Sequence, residues 1–212
     1  GPNTGGMGTY SDSDHSLPFL ENSHIRSAQK INEKTASALK DKFKEGYKGI
    51  LYGGFIATKD GVQLIEYNAR FGDPEAMNIL SILETDLIDI CSAILSEELY
   101  KTDICFSNLA TVCKYAVPDG YPDNPVKDKE IDISEMSDGE KLFHASVEQK
   151  DEKLIEVGSR TVAVVGTGET IWEAEEIAEK EISKIKGPLF HRKDIGTTEL
   201  IQKKINHMTS LR

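Results

Sequence analysis

The stretch "LIEYNARFGDPE" (residues 64–75) gathers side chains suited to phosphate chemistry. Side chains alternate along a strand, so Leu64, Glu66 and Asn68 are predicted to share one face. A carboxylate and an amide oxygen side by side suit a hard divalent cation. Mg²⁺ takes such ligands and keeps waters or substrate phosphates in its other positions. In isolation the pair reads equally as two polar residues on a solvated strand face. Arg70 follows, and Arg is the natural bidentate donor to a phosphate or acyl phosphate. The plain alternative is a surface ion pair with Asp73 or Glu75. Gly72 fits a tight turn, and Asp73 followed by Pro74 reads as an N-cap and first helical residue. That cap alone would account for Asp73.

Two other segments carry donors. The chain opens on "GPNTGGMGTY". No Gly-Lys-Ser/Thr follows, so it is not a P-loop, and the dinucleotide fingerprint G-x-G-x-x-G is absent. Asn3, Thr4 and the backbone N–H groups of Gly5, Gly6 and Gly8 are nevertheless able to cradle an anion. The competing reading is a flexible terminus. Near the other end, "FHRKDIG" places His191, Arg192 and Lys193 together, the densest basic cluster of the chain. It reads as a phosphate subsite or as a surface patch at a helix end. His144 sits in a strand pattern and reads as structural, and His207 falls in a polar tail. No Ser-His-Asp or Cys-His arrangement is present to supply a nucleophile.

The elements that must position these groups follow from periodicity. Ile25, Ala28, Ile31, Thr35, Ala38, Leu39 and Phe43 form a helical stripe over about Ser23–Phe43, stopped by Gly46. "GILYGGFIAT" and "VQLIEYN" flank "KDG", a hairpin with Gly61 in its loop. A helix lined by Met77, Leu80 and Leu83 is expected after Pro74, then another from about Asp86 to Leu95 capped by Thr85. "LATVCKYAV", "KLFHASVEQ" and "RTVAVVG" read as strands, the first ended by "PDGYPDNP". Thr170 and Glu173 form a capping box for "IWEAEEIAEKEISKIK", which Gly187 and Pro188 terminate. A module boundary is expected near residue 105, with no internal repeat and no low-complexity tract.

Bulk properties narrow the function class. The chain has 212 residues, 38% hydrophobic and 29% charged, enough for one large or two small folded domains. Its net charge of −11 argues against a general nucleic-acid binder, which needs clustered Lys and Arg. It leaves room for a phosphate ligand held by a few local donors. Cys91, Cys105 and Cys113 form no C-x-x-C pair and sit among apolar residues; they are expected to be reduced and buried in a cytoplasmic protein. No apolar run reaches membrane-spanning length, and no secretory signal is seen. The first residue is not Met, which leads us to expect a fragment or a processed product.

"GPNTGGMGTY", "YKGILYGGF", "IEYNARFGDPEAMN" and "FHRKDIG" occur in the order found in the phosphoribosylamine–glycine ligase family of ATP-grasp enzymes, and the chain resembles that family from Gly1 to about Ile195. The resemblance implies an α+β fold. Residues 1–105 would be the C-terminal half of an ATP-grasp domain, an antiparallel sheet with helices. Residues 106–212 would be a small mixed C-terminal domain. It implies ATP-dependent joining of glycine to 5-phosphoribosylamine through glycyl phosphate, with Mg²⁺ or Mn²⁺ as cofactor. On that resemblance Glu66 and Asn68 are the metal ligands, and Arg70 stabilises the transferring phosphate. Asp73, with Asn3, Thr4, Gly5 and Gly6, helps to hold glycine or phosphoribosylamine. Arg192 and Lys193 face the ribose 5-phosphate. Some relatives carry a metal-binding Gln twelve residues before the Glu; here Gly54 stands there, leaving that position to water. The family's N-terminal domain and the lobe covering the adenine would precede Gly1, so the expected partners are that missing part and the small substrates, with neither nucleic acid nor membrane. A non-catalytic phosphoribosyl-binding module, the partner subunit of a split enzyme, and an ATP-grasp ligase for a related ribonucleotide are the competing readings.

Overall fold

The computed structural model describes residues 6–44, 46–137 and 141–211. Asn3, Thr4 and Gly5 lie outside them, as does the expectation that the first residues are less ordered than in a longer enzyme. In order, the elements are β1 (Gly8–Ser11), α1 (Asn22–Lys42), β2 (Tyr52–Thr58), β3 (Gly61–Asn68), α2 (Glu75–Ile82) and α3 (Leu87–Leu95). After a 3₁₀ turn at Leu99–Lys101 come β4 (Ala110–Pro118), β5 (Lys129–Ile131), β6 (Lys141–His144), β7 (Val147–Lys150), β8 (Lys153–Glu156), β9 (Val162–Gly168), α4 (Ile171–Ile182), β10 (Leu189–Phe190) and α5 (Thr198–Leu211). Every strand pairing is antiparallel, so the fold is α+β as expected.

Two compact units form, each stitched from separate stretches of sequence. The first draws on Asp73–Ile82, Asn108–Gln202 and the segment ending at Leu17; the second on Pro18–Gly72, Leu83–Ser107 and the segment from Lys203 onward.

The first unit is built on the sheet β1-β4-β9-β6, with β10 pairing the far end of β4. Strand β4 is buried along its whole length, so both faces of "ATVCKYAVP" meet protein. Val112, Val117, Val162 and Val164 are fully buried, each contributing about 1.5–3 kcal/mol relative to exposure. Helix α4 lays Ile171, Ala174, Ala178 and Ile182 inward. Its close approach needs Gly166, whose absent Cβ would fall 2.0 Å from the Ala174 carbonyl oxygen. Helix α2 is pinned by Asn78, which donates to Thr111 Oγ1 (2.8 Å) and the Thr9 carbonyl (3.3 Å). A smaller sheet, β5-β8-β7, completes this unit.

The second unit contains the hairpin β2–β3, helices α1 and α3 and the 3₁₀ turn. Gly61 takes a φ of 105° in the hairpin loop, as its position demands. Tyr67 ties α1 to the hairpin, its hydroxyl reaching Asn32 Oδ1 (2.8 Å) and Thr35 Oγ1 (3.1 Å).

Several local expectations are corrected. "KLFHASVEQ" is not one strand: it breaks into β6 and β7, which belong to different sheets. Ala145 and Ser146 donate instead to Thr161 and Arg160 carbonyls, turning the chain between the sheets. His144 is exposed at the end of β6, and His207 lies in α5 rather than a tail. Asp86, not Thr85, caps α3, accepting from the Ile88 N–H at 2.7 Å. Thr85 instead bonds the Cys105 amide. Thr170 caps α4 as expected, but Glu173 reaches back to the Glu169 amide, one residue earlier than a capping box requires. Leu83 lies beyond α2, which buries Met77, Asn78 and Ile82. Only Cys113 is buried; Cys91 and Cys105 are exposed. Among the described residues no helix is long and apolar enough to cross a membrane.

Candidate active site

In the second unit the hairpin delivers Glu66 and Asn68. Its register shifts at Gly54/Phe55: Gly54 opposes Glu66, Phe55 opposes Leu64, and Ile65 is left over and 64% exposed. The bulge breaks the alternation between Leu64 and Glu66. Glu66 and Asn68 lie beyond it and remain together, Asn68 Nδ2 donating to Glu66 Oε1 at 3.2 Å. Glu66 is exposed and Asn68 half-buried. An ion on this face would draw on the carboxylate and on the amide turned to present its oxygen. Among the described residues there is no group of three or more His, Cys, Asp or Glu able to hold a metal. The donor set therefore fits a cation that completes its shell with water or phosphate, and it does not fit an all-protein cage. Gly54 lies directly across from Glu66; a Cβ there would meet Glu66 at an ordinary 3.7 Å, so the position has room for a side chain. Arg70 is exposed and donates to the Phe71 carbonyl at 2.6 Å.

In the first unit Asp73 has a different role from the cap its position suggested. Arg160 grips its carboxylate, Nη2 to Oδ2 at 2.5 Å and Nη1 to Oδ1 at 3.2 Å. The Tyr115 hydroxyl donates to Oδ1 at 3.0 Å, and the guanidinium lies 4.8 Å above the Tyr115 ring. Burial, then the Asp73 charge and hydrogen bond, push the Tyr115 hydroxyl well above its ordinary pKa, so it remains a donor. Gly6 packs against the same segment. A Cβ on it would fall 2.5 Å from Pro74 Cδ, which excludes a side chain without movement.

The basic cluster is largely spoken for. Arg192 forms a fork with Asp194 (3.0 and 2.6 Å), and its hydrogen bond holds the Asp194 carboxyl below the usual carboxylate range. His191 Nε2 lies 3.1 Å from both Glu179 oxygens. Lys193 is exposed, and its carbonyl accepts from Lys114 Nζ at 3.1 Å. Lys114 is wholly buried and paired with Glu175 (2.6 Å) and Glu179 (2.7 Å). Burial works against an ionised Glu179, but hydrogen bonds from Lys114 and His191 outweigh it and hold its carboxyl below the ordinary value.

Sequence reasoning missed Arg160, Tyr115 and Lys114. Lys114 carried a signal, since a lone Lys inside an apolar strand must be paired to be buried. Arg160 and Tyr115 carried none, because their partners are 87 and 42 residues away in sequence.

The phosphoribosylglycinamide synthetase ATP-grasp (A) domain family matches residues 1–76, and the phosphoribosylglycinamide synthetase C domain family matches residues 111–198. Phosphoribosylamine–glycine ligases of Methanosarcina barkeri and Methanocaldococcus jannaschii are 50% and 52% identical over 212 residues, covering 100% and 99% of this chain and 49% and 48% of theirs. The chain thus spans about half the length of these curated relatives. The crystal structure of the Thermotoga maritima phosphoribosylamine–glycine ligase superposes with a TM-score of 0.75 at 30% identity, over 92% of this chain and 47% of that one. The biotin carboxylase domain of Hydrogenobacter thermophilus 2-oxoglutarate carboxylase shares the fold at 16% identity and a TM-score of 0.57, over 91% of this chain and 41% of that one. With two domain families matched in succession and half the residues identical along the whole chain, this protein belongs to the phosphoribosylamine–glycine ligase family.

Proposed function

We propose that this chain supplies part of an ATP-dependent ligase that joins glycine to 5-phosphoribosylamine, giving glycinamide ribonucleotide, ADP and phosphate. The observation that carries the reading is the identity of about half along the full chain with relatives named for that reaction. The division into half an ATP-grasp domain (1–105) and a C-terminal domain (106–212) belongs to the same reading, supported by the separate matches to 1–76 and 111–198.

A glycine carboxylate oxygen attacks the γ-phosphorus of ATP, and the bond to the bridging oxygen breaks to release ADP. The phosphoribosylamine nitrogen then attacks the acyl carbon of glycyl phosphate, expelling phosphate and losing a proton to solvent. Such steps rest on positioning and charge neutralisation rather than on a protein nucleophile. Glu66 and Asn68 would hold Mg²⁺ or Mn²⁺, which when bound neutralises phosphate charge. Arg70 offers its guanidinium to the transferring phosphate. Asp73 takes the amine of a substrate on the oxygen lone pairs that Arg160 and Tyr115 leave free. Asn3, Thr4, Gly5 and Gly6 would help to hold glycine or phosphoribosylamine. Of the C-terminal basic pair, Lys193 is the freer donor to the ribose phosphate, because Arg192 must first release Asp194.

The test measures ADP release from ATP, glycine and phosphoribosylamine. The chain alone should be inactive or nearly so. Joined behind the N-terminal half of the Methanocaldococcus jannaschii relative, it should turn over. Absence of turnover in a folded joined protein would overturn the ligase reading. Turnover on mixing the two halves as separate chains would instead favour the partner subunit of a split enzyme.

A further inference from the structure

Arg160 reaches from the loop between β8 and β9 to two distant stretches of sequence. It donates to the Asp73 carboxylate twice, to the Asp73 carbonyl (3.3 Å) and to the Gly6 carbonyl (3.1 Å). Its own backbone is fixed: Ser146 N–H donates to the Arg160 carbonyl (3.1 Å) and Thr161 N–H to the Ala116 carbonyl (3.0 Å). Gly158 packs so closely on Ser146 that a Cβ would fall 2.4 Å away. Tyr115 closes the arrangement from β4, its ring under the guanidinium and its hydroxyl on Asp73. Next to Gly6, the Met7 carbonyl accepts from Tyr115 N–H at 3.0 Å. Gly6, Asp73 and the central strand are thus tied at one guanidinium. A planar five-donor fork suits this; a point charge does not.

Resting on the proposed role of Asp73 in taking a substrate amine, we propose that Arg160 is a positioning residue. It fixes the Asp73 carboxylate in one orientation and clips Gly6 beside it, so that both present a single geometry to the amine-bearing substrates. Arg160 itself does not contact the reacting atoms. Losing the fork lets Asp73 rotate and the Gly6–Met7 backbone lift from β4.

Two readouts test this on R160M, R160K and Y115F. In the 212-residue chain, amide hydrogen exchange at Tyr115 reports whether Met7 stays docked. In the joined protein, KM values for glycine, phosphoribosylamine and ATP report the site. R160M should speed Tyr115 exchange several-fold while β9 amides keep their protection. It should raise the KM of an amine-bearing substrate on the order of tenfold, with the KM for ATP nearly unchanged. R160K should recover part of both effects, and Y115F should shift both in the same direction by less. Unchanged Tyr115 exchange in folded R160M, or an ATP KM that rises as much as the amine KM, would overturn the proposal. Should R160M lose protection throughout β9, Y115F decides by the same two readouts. If the wild-type joined protein makes no ADP, the ligase reading falls, while the exchange data still decide the clip.

Discussion

Replacing Lys114 by Met tests the buried charge network that holds the "HRKDIG" segment. Lys114 Nζ bonds Glu175, Glu179 and the Lys193 carbonyl from a side chain with no exposure. Met fills a similar volume on an apolar strand, so the loss is electrostatic rather than a cavity. Removing one partner of a buried pair costs about 3–5 kcal/mol, because a buried charge is left unpaired. Glu175 and Glu179 keep 13% and 28% side-chain exposure, so water offsets part of this. We therefore expect about 2–3 kcal/mol, or about 4–12 °C in Tm for a chain of this size. The pH dependence has a definite sign. Glu179 is held below its unfolded value of 4.5, so its contribution is fully present above that value and is lost as pH falls through the folded one. The gap between wild type and K114M should be full at pH 7 and shrink as pH drops below the unfolded Glu value. Urea unfolding followed by circular dichroism at pH 7 and at acidic pH measures both. K114M/E175Q/E179Q should recover much of the loss at pH 7 by removing the stranded charges. A K114M chain as stable as wild type at pH 7, or a gap that does not change with pH, would refute the reasoning.

Two further substitutions probe other features. Glu156 is fully buried, and neither carboxylate oxygen finds a hydrogen bond of good geometry. Burial and the Asp128 charge push its carboxyl up against weaker pulls from the Gly158 amide and Lys127. An acid raised in the fold is costly once ionised, so E156Q should stabilise the chain by up to about 1 kcal/mol at pH 8 and by nothing below the unfolded carboxyl value. Chemical denaturation at the two pH values checks this, and a stability gain that persists in acid would contradict it. In the joined protein, E66Q should raise the Mg²⁺ concentration for half-maximal turnover by at least about tenfold while far-UV circular dichroism stays unchanged, because it removes the carboxylate charge of the proposed Glu66–Asn68 metal pair. Wild-type turnover at limiting Mg²⁺ would remove Glu66 from the metal site.

Local signals were legible where one segment decides its own structure. The hairpin around "KDG", α1, the start of α4 at its Thr170 cap, and the strands "LATVCKYAV" and "RTVAVVG" follow from periodicity and turn chemistry, whereas α4 ends at Ile182 with Ser183 as its C-cap, before the expected Gly187–Pro188 stop. The reading failed where a distant partner competes for a local group. Asp73 looked like a cap until Arg160 claimed its carboxylate. Thr85 looked like a cap until the Cys105 amide reached it. "KLFHASVEQ" looked continuous until backbone bonds to Arg160 and Thr161 divided it between two sheets.

By itself, then, the sequence determined the α+β class, the pairing of Glu66 with Asn68 on the hairpin, and the family. Each depends on neighbours in the chain or on motif order. The tertiary structure alone decided how the charged groups are used. Two of the three basic residues in "HRKDIG" turn to carboxylates, Lys114 is buried among acids, and Asp73, Tyr115, Gly6 and Arg160 meet at one point. Electrostatic and hydrogen-bonding partners are chosen by distance in space, and a buried charge takes whichever opposite charge the packing brings within reach.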